Sequence, residues 1–236
     1  MDATNKHVDL GTMFSYLQDI AESLEKVTRW DLRSKIGGQT AAENDLQHSF
    51  KTALFTLYCA IVENEQRAAN EKLNVELLVV MALIHDIAEI KVGDIASFKR
   101  TKGDREPEYR AFCEIIAPLP EPVRNYIGHA FCHAFPGVEQ SIESRESRFF
   151  KVVEMLGFLK RGIHECRAGN VHFAPKNFDR DVPKLLAAAE EFPSIHGHIQ
   201  PFLAEMMSHL DAFNRSHSEY RDAFVQAGND ADDFPF

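Results

Sequence analysis

The stretch that decides the fold runs from Asn74 to Ile90 and reads NVELLVVMALIHDIAEI. Its Leu, Val, Met and Ile positions recur too densely for the single apolar stripe of a surface helix. A helix buried over most of its circumference is therefore predicted. His85 and Asp86 stand out in that setting, because a buried carboxylate persists only when it is paired, hydrogen-bonded or bound to a metal. A divalent cation would satisfy Asp86, His85 and a second histidine together. Imidazole and carboxylate ligands suit Zn, Mn, Fe, Co or Ni, and nothing in the sequence chooses among them. The alternative is a hydrogen-bonded His85–Asp86 pair that only fixes helix packing.

Working outward, His48 lies in AENDLQHSFKTALFTLYCAIV, where Leu46, Phe50, Leu54, Leu57 and Ile61 approximate a helical stripe. The stripe is expected to turn this segment, and His48 with it, toward the next buried helix. Glu89 follows Asp86 by three positions and His85 by four, which puts its carboxylate on the side of the expected ion. A general acid or base would stand there. Asp94, after Gly93, either belongs to the same pocket or caps a turn. Arg29 and Trp30 are adjacent, and each has a plain alternative, as a surface arginine and as a core aromatic.

Taken in order, Arg29-Trp30, Glu43-Asn44, Gln47-His48-Ser49, His85-Asp86-Ile87-Ala88-Glu89 and Gly93-Asp94 resemble the HD superfamily, specifically its bacterial 5'-deoxynucleotidase branch. The likeness runs from about Phe14 to about Phe173 and includes Ala168-Gly169-Asn170. It implies an all-α, HD-domain helical bundle that removes phosphate from deoxyribonucleoside monophosphates with a divalent metal. By that resemblance, His48, His85 and Asp86 are metal ligands and Glu89 is the catalytic carboxylate. Arg29 holds the phosphate and Trp30 sits beside the sugar. Asp94 meets the sugar hydroxyl or a water at the pocket edge.

The chain departs from the family pattern at three points. The fourth ligand, an aspartate in the family, corresponds to Glu154 within Lys151-Val152-Val153-Glu154-Met155-Leu156, and the extra methylene displaces its oxygens unless the helix shifts. Gln47 stands where the family commonly has glutamate; an amide can orient a histidine but adds no negative charge. Around Ser97-Phe98-Lys99 the family's proline-bearing loop is replaced. Lys99 either reaches a phosphate or is a solvated lysine beside Arg100 and Lys102.

A second pair, His129 and His133 in IGHAFCHAF, has the i, i+4 spacing that sets both rings on one helix face and can bind zinc. Pocket lining or simple packing is the alternative. The four cysteines, Cys59, Cys113, Cys132 and Cys166, show no paired zinc or redox spacing, so reduced thiols are expected.

With 236 residues, 44% apolar and 26% charged, the chain can bury one large core. A single domain over residues 1–215 is expected, followed by an acidic, mobile tail over 216–236. Helices are predicted over Leu10 to Thr28, Ala42 to Ala68, Asn74 to Ile90, Glu106 to Ala117, Glu121 to Ala134, Glu139 to Cys166, Val182 to Glu191 and Ile199 to Asn214. Period-two alternation is absent, so essentially no sheet is predicted.

No signal segment or apolar run of membrane-spanning length is evident, and a cytoplasmic protein is expected. The net charge of −10 argues against binding a nucleic acid polymer. It is compatible with a small nucleotide meeting a local arginine and a metal. A homodimer is expected from the resemblance and from the prevalence of two-fold assemblies. Two other activities stay open. One is a triphosphohydrolase of deoxynucleoside triphosphates, with Arg33, Lys35, Lys99 and Lys102 as candidate groups for the longer phosphate chain. The other is a metal- or nucleotide-binding protein whose hydrolytic site has decayed, marked by Glu154 and Gln47.

Overall fold

The computed structural model describes residues 10–29, 43–94, 101–169 and 174–226. Ten α-helices and one two-stranded ribbon appear among them. They are α1 (Leu10–Lys26), β1 (Thr28–Arg29), β2 (Glu43–Asn44), α2 (Asp45–Glu65), α3 (Val75–Ile84), α4 (Glu89–Val92), α5 (Arg105–Ile116), α6 (Glu121–Ala134), α7 (Arg145–Arg167), α8 (Ala174–Ala188), α9 (Pro193–Ile199) and α10 (Leu203–Gln226). This is the predicted all-α architecture.

The described residues group into two compact units that divide after Glu154. In the first, α3 is the central helix, packed against α2 and α6. Leu78, Met81 and Ala82 are fully buried there, together with Cys59 and Ala60 of α2. An aromatic stack extends the core, with Phe112 and Phe131 parallel at 3.6 Å between centroids and Phe135 next at 4.8 Å. In the second unit, Leu185, Phe192, Ile195 and Ile199 are fully or almost fully buried where α9 and α10 pack on α8.

Local chemistry fixes the helix starts. Asn44 and Asn74 each cap a helix, their side-chain oxygens accepting from the amides of Gln47 and Leu77 at 2.9 and 3.0 Å. Ser144 and Ser147 cap α7 reciprocally, each hydroxyl accepting from the other's amide. That cap starts α7 at Arg145, six residues later than predicted.

Three predicted features are corrected. The helix predicted to run unbroken to Ile90 ends at Ile84, and His85 to Ala88 form tight turns before α4. There the amides of Ile87 and Glu89 donate to the carbonyls three residues back, those of Ile84 and Asp86. The stripe of Leu46, Phe50, Leu54, Leu57 and Ile61 faces outward, with exposures from 36% to 60%. At about 100° per residue these five positions lie roughly 160° to 240° around the helix from His48, so turning His48 inward forces the stripe out. Third, α10 runs on through Gln226, past the expected tail start at Ser216. Residues 216–226 contain no Gly or Pro, and a helix begun upstream propagates through such a segment without needing an amphipathic pattern.

Candidate metal centre

The ribbon does most of the positioning on one side of the site. Arg29 pairs with Glu43 across β1 and β2, and the Asp45 amide donates to the Val27 carbonyl at 3.1 Å. Arg29, Glu43 and Asp45 are thereby held at the N-terminus of α2, one turn from His48. On the other side, the turns after α3 deliver His85 and Asp86, α4 delivers Glu89, and α7 delivers Glu154.

Asp86 is the hub. Arg29 Nη1 donates to Asp86 Oδ2, and the same nitrogen lies 3.2 Å from Asp45 Oδ1 and 3.8 Å from Glu89 Oε2. Asp86 Oδ2 stands 3.1 Å from His85 Nε2 and 3.8 Å from His48 Nε2. Glu154 Oε1 reaches to 3.5 Å from His85 Nε2. The rings of His48 and His85 are 5.3 Å apart, and His85 meets Phe150 edge-on. Ligand-capable atoms of His48, His85 and Asp86 lie within 4.8 Å of one another, as do those of Asp45, Asp86 and Glu89.

The electrostatics follow from this crowding. Burial raises the Asp86 pKa, yet Arg29 and His85 together hold it well below the ordinary carboxylate range. Burial, then the Asp86 charge, pushes Glu89 well above its usual value, against the pull of Arg29. The same two causes lift Asp45 to about 6. Desolvation and Arg29 keep His48 below the usual imidazole value. Desolvation would lower His85 too, but the Asp86 carboxylate outweighs it and, with Glu154, carries the imidazole up to about 9. Arg29 stays charged: its burial is outweighed by Asp86, Glu89, Asp94 and Asp45.

These residues fit a divalent ion. His85 Nδ1 is 2.8 Å from the Ala82 carbonyl, which requires the proton on Nδ1 and turns Nε2 toward the carboxylates. That Nε2 is buried 3.1 Å from Asp86 Oδ2, but among the described residues it makes no well-aligned hydrogen bond. Asp86 and two imidazoles bring ligand atoms within 4.8 Å of one another, with Glu154 3.5 Å from His85 Nε2, and imidazole with carboxylate is a donor set a borderline transition ion takes. In the metal-free protein the cations Arg29 and protonated His85 offset part of the negative charge in its place.

Of the residues singled out in the sequence, the structure brings Arg29, His48, His85, Asp86, Glu89 and Glu154 together. Asp94 is half-buried and close enough to act on the charges of Arg29 and Glu89. Trp30 and Lys99 lie outside the described residues. Two participants are not anticipated as site residues. Asp45 is fully buried and holds Arg29. Glu43 sits 3.9 Å from His48 Nδ1 and 2.7 Å from Lys51 Nζ. Gln47, expected to orient His48, is exposed, and the carboxylate beside the ring comes instead from Glu43. The available signal was the acidic pair flanking Asn44, which reads equally well as ordinary helix-start chemistry.

Fold and site together define an HD-type phosphohydrolase. Residues 15–207 match the family described as 5'-deoxynucleotidase YfbR-like, and the chain belongs to it. It is 27% identical over 157 residues to a 5'-deoxynucleotidase of Erwinia tasmaniensis, covering 64% of this chain and 73% of that one. It is 25% identical to the 5'-deoxynucleotidase YfbR of Escherichia coli K12, covering 64% and 72%. Among solved structures, an HD-domain phosphohydrolase from Listeria innocua shares the fold with a TM-score of 0.64 at 17% identity, covering 88% of this chain and 97% of that one. A predicted metal-dependent phosphohydrolase from Magnetospirillum magnetotacticum MS-1 does so with a TM-score of 0.63 at 20% identity, covering 85% and 93%. Among the described residues no helix is long and apolar enough to cross a membrane.

Proposed function

We propose that this chain hydrolyses the 5'-phosphate of deoxyribonucleoside monophosphates, using a divalent transition metal (Co, Mn, Zn, Fe or Ni) held by His48, His85, Asp86 and Glu154. The observation that carries this reading is the convergence of ligand atoms from His48, His85 and Asp86, with Glu154 3.5 Å from His85, beside Arg29 and Glu89. When bound, the ion supplies Lewis-acid neutralisation of the phosphoryl charge. Phosphoryl transfer otherwise needs positioning and charge. Arg29 has five N–H donors, and its Nε has no hydrogen-bond partner among the described residues, which leaves it capacity for phosphate oxygens. Glu89, whose pKa is held high, takes the proton of the attacking water as the new O–P bond forms. The P–O5' bond breaks, and Glu89 returns that proton to the leaving 5'-oxygen. Trp30 beside the deoxyribose, Asp94 at a sugar hydroxyl and Lys99 at a phosphate complete the pocket by family resemblance.

The test is product analysis on deoxy- and ribonucleoside mono- and triphosphates, with metal-stripped protein resupplied with Mn, Co, Zn or Mg. Inorganic phosphate from deoxy monophosphates is the expected result. Triphosphate from deoxynucleoside triphosphates would move the assignment to the triphosphohydrolase. No turnover with any metal would make this a binding protein with a decayed site.

A homodimer is part of the same reading, and the outward stripe of α2 supports it. Phe50, Leu54, Leu57 and Ile61 follow the alternating four-three spacing of a coiled-coil seam, and Tyr58, 54% exposed, flanks them. With Leu46 they offer on the order of 600 Å² of surface, most of the ~800 Å² per partner in a standard interface.

A further inference from the structure

The reaction uses neither histidine of α6. His129 and His133 lie one turn apart on that helix, and their Nε2 atoms face each other at 3.2 Å. The rings meet edge-on, 4.7 Å between centroids at 79°. His133 is buried to 8% exposure while His129 is exposed, so the pair opens to solvent on one side. The other nitrogen of the buried ring, Nδ1, is 2.9 Å from Ser144 Oγ, the hydroxyl that also caps α7.

We propose that His129 and His133 form a second, independent site for a borderline transition ion such as Zn²⁺, separate from the HD centre. Metal–imidazole bonds are about 2.0–2.1 Å long. Two nitrogens 3.2 Å apart therefore subtend roughly 100° at an ion bonded to both, close to the tetrahedral angle. A shared proton also fits this distance, and the ion displaces it. Ligation needs the neutral imidazole. Burial and the neighbouring His129 favour that form of His133, opposed only in part by Glu146. The Ser144 hydroxyl fixes the ring's rotation from behind, as outer partners of metal-binding histidines commonly do. Among the described residues no third ligand atom stands with the pair, and water fills the remaining positions.

The site sits at the rim of a cavity of about 320 Å³ whose lining includes His129, Tyr109, Cys113, Cys132 and Arg124. Among the described residues that lining carries two thiols and no carboxylate, so the cavity beside the ion offers soft donors. That environment suits zinc, copper or nickel better than magnesium or calcium.

The experiment is metal counting on the full chain, stripped and then given Zn²⁺ stoichiometric with the available sites, for the native protein and for His129→Ala. His129 is exposed, so its replacement leaves the core intact. The native chain is expected to hold one more equivalent of zinc than His129→Ala, with phosphate release from nucleotides unchanged between them. The converse variant, His85→Ala, is expected to keep the α6 equivalent while losing the HD one. With Cu²⁺ in His85→Ala, electron paramagnetic resonance should show two coordinated nitrogens, and His129→Ala added to that variant should remove the signal. Equal zinc content in the native chain and His129→Ala, or a copper spectrum indifferent to His129, would overturn the proposal.

Discussion

Helices α2 and α3 lie side by side and are built in opposite senses. The inward positions of α3 are Leu78, Met81, Ala82 and Ile84, and polar chemistry enters only in the turns that follow. The inward positions of α2 include Asp45, Ser49, Thr52, Thr56, Glu63 and Asn64, and its large apolar side chains face out. The inner polar face is tolerable because most of it is partnered. Asp45 holds Arg29, Thr52 meets His48 at 3.4 Å, Glu63 pairs with Arg67 at 2.8 Å, and Asn64 both donates to and accepts from the Leu73 backbone. A helix face is selected for burial by what its side chains can be matched with. Hydrophobicity decides only where no such match competes.

The contrast can be broken first at the shared polar end of the two helices. Glu89→Ala should lower turnover by about 10²- to 10⁴-fold, the usual contribution of a general acid or base, while metal content measured by elemental analysis stays at the native level. A variant with nearly full activity would remove Glu89 from the mechanism.

Asp86→Ala should come next. It leaves Arg29 and His85 buried without their common counter-charge, a change that costs about 3–5 kcal/mol. Denaturant unfolding would read the loss, together with failure to retain metal. A stability change under 1 kcal/mol would show that the cluster is not the keystone of this face.

Asp45→Asn is a smaller perturbation of the same network. It keeps the shape and removes one of the carboxylates around Arg29, so a destabilisation of about 1–3 kcal/mol is expected. Measured beside Asp86→Ala in a double-mutant cycle, the two effects should be non-additive, because both act through Arg29.

The pH dependence of the metal-free protein sharpens the picture further. His85 has its pKa raised from the ordinary imidazole value of 6.5 to about 9, so the folded state holds the extra proton across that window. The stabilisation is fully present below 6.5 and is lost as pH rises through 9. Melting temperature should therefore fall over that range without metal, and fall less with a divalent ion at the site. A flat metal-free profile would contradict it.

The outer face of α2 is the mildest test for the fold. Leu54→Glu should change monomer stability by no more than about 0.5 kcal/mol, as surface substitutions do. Light scattering should nevertheless find the protein shifted from dimer to monomer. An unchanged mass would place any self-association elsewhere.

Much of this was legible in the sequence because the functional residues are the costly ones. His85, Asp86 and Glu89 are conspicuous in an apolar run, and the separation of α2, α3 and α7 follows from caps and turn residues. Periodicity located α2 but gave its orientation backwards, since the stripe from Leu46 to Ile61 is a sound amphipathic signal with the wrong occupant assigned to it. Asp45 and Glu43 are not legible as site carboxylates for a different reason: acidic residues at a helix start are expected on local grounds. Only the ribbon pairing Arg29 with Glu43, a contact between distant segments, distinguishes a site carboxylate from a cap. The break at His85 is hidden as well, because none of His85, Asp86, Ile87 and Ala88 is a Gly or Pro that would mark a helix end.

The ligands arrive from positions 48, 85–86 and 154, and that spacing bears on how the protein folds. Bringing them to one point closes loops of 37 and 68 residues (85 − 48 and 154 − 86), each at an entropic cost that local helix formation does not meet. Non-local closure of this kind is slow relative to local helix formation, so assembly of the centre after its helices is the expected order. An interaction absent from the transition state lowers the unfolding rate and leaves the folding rate alone. A bound ion should thus act mainly as a brake on unfolding, lengthening the lifetime of a finished protein without hastening its formation.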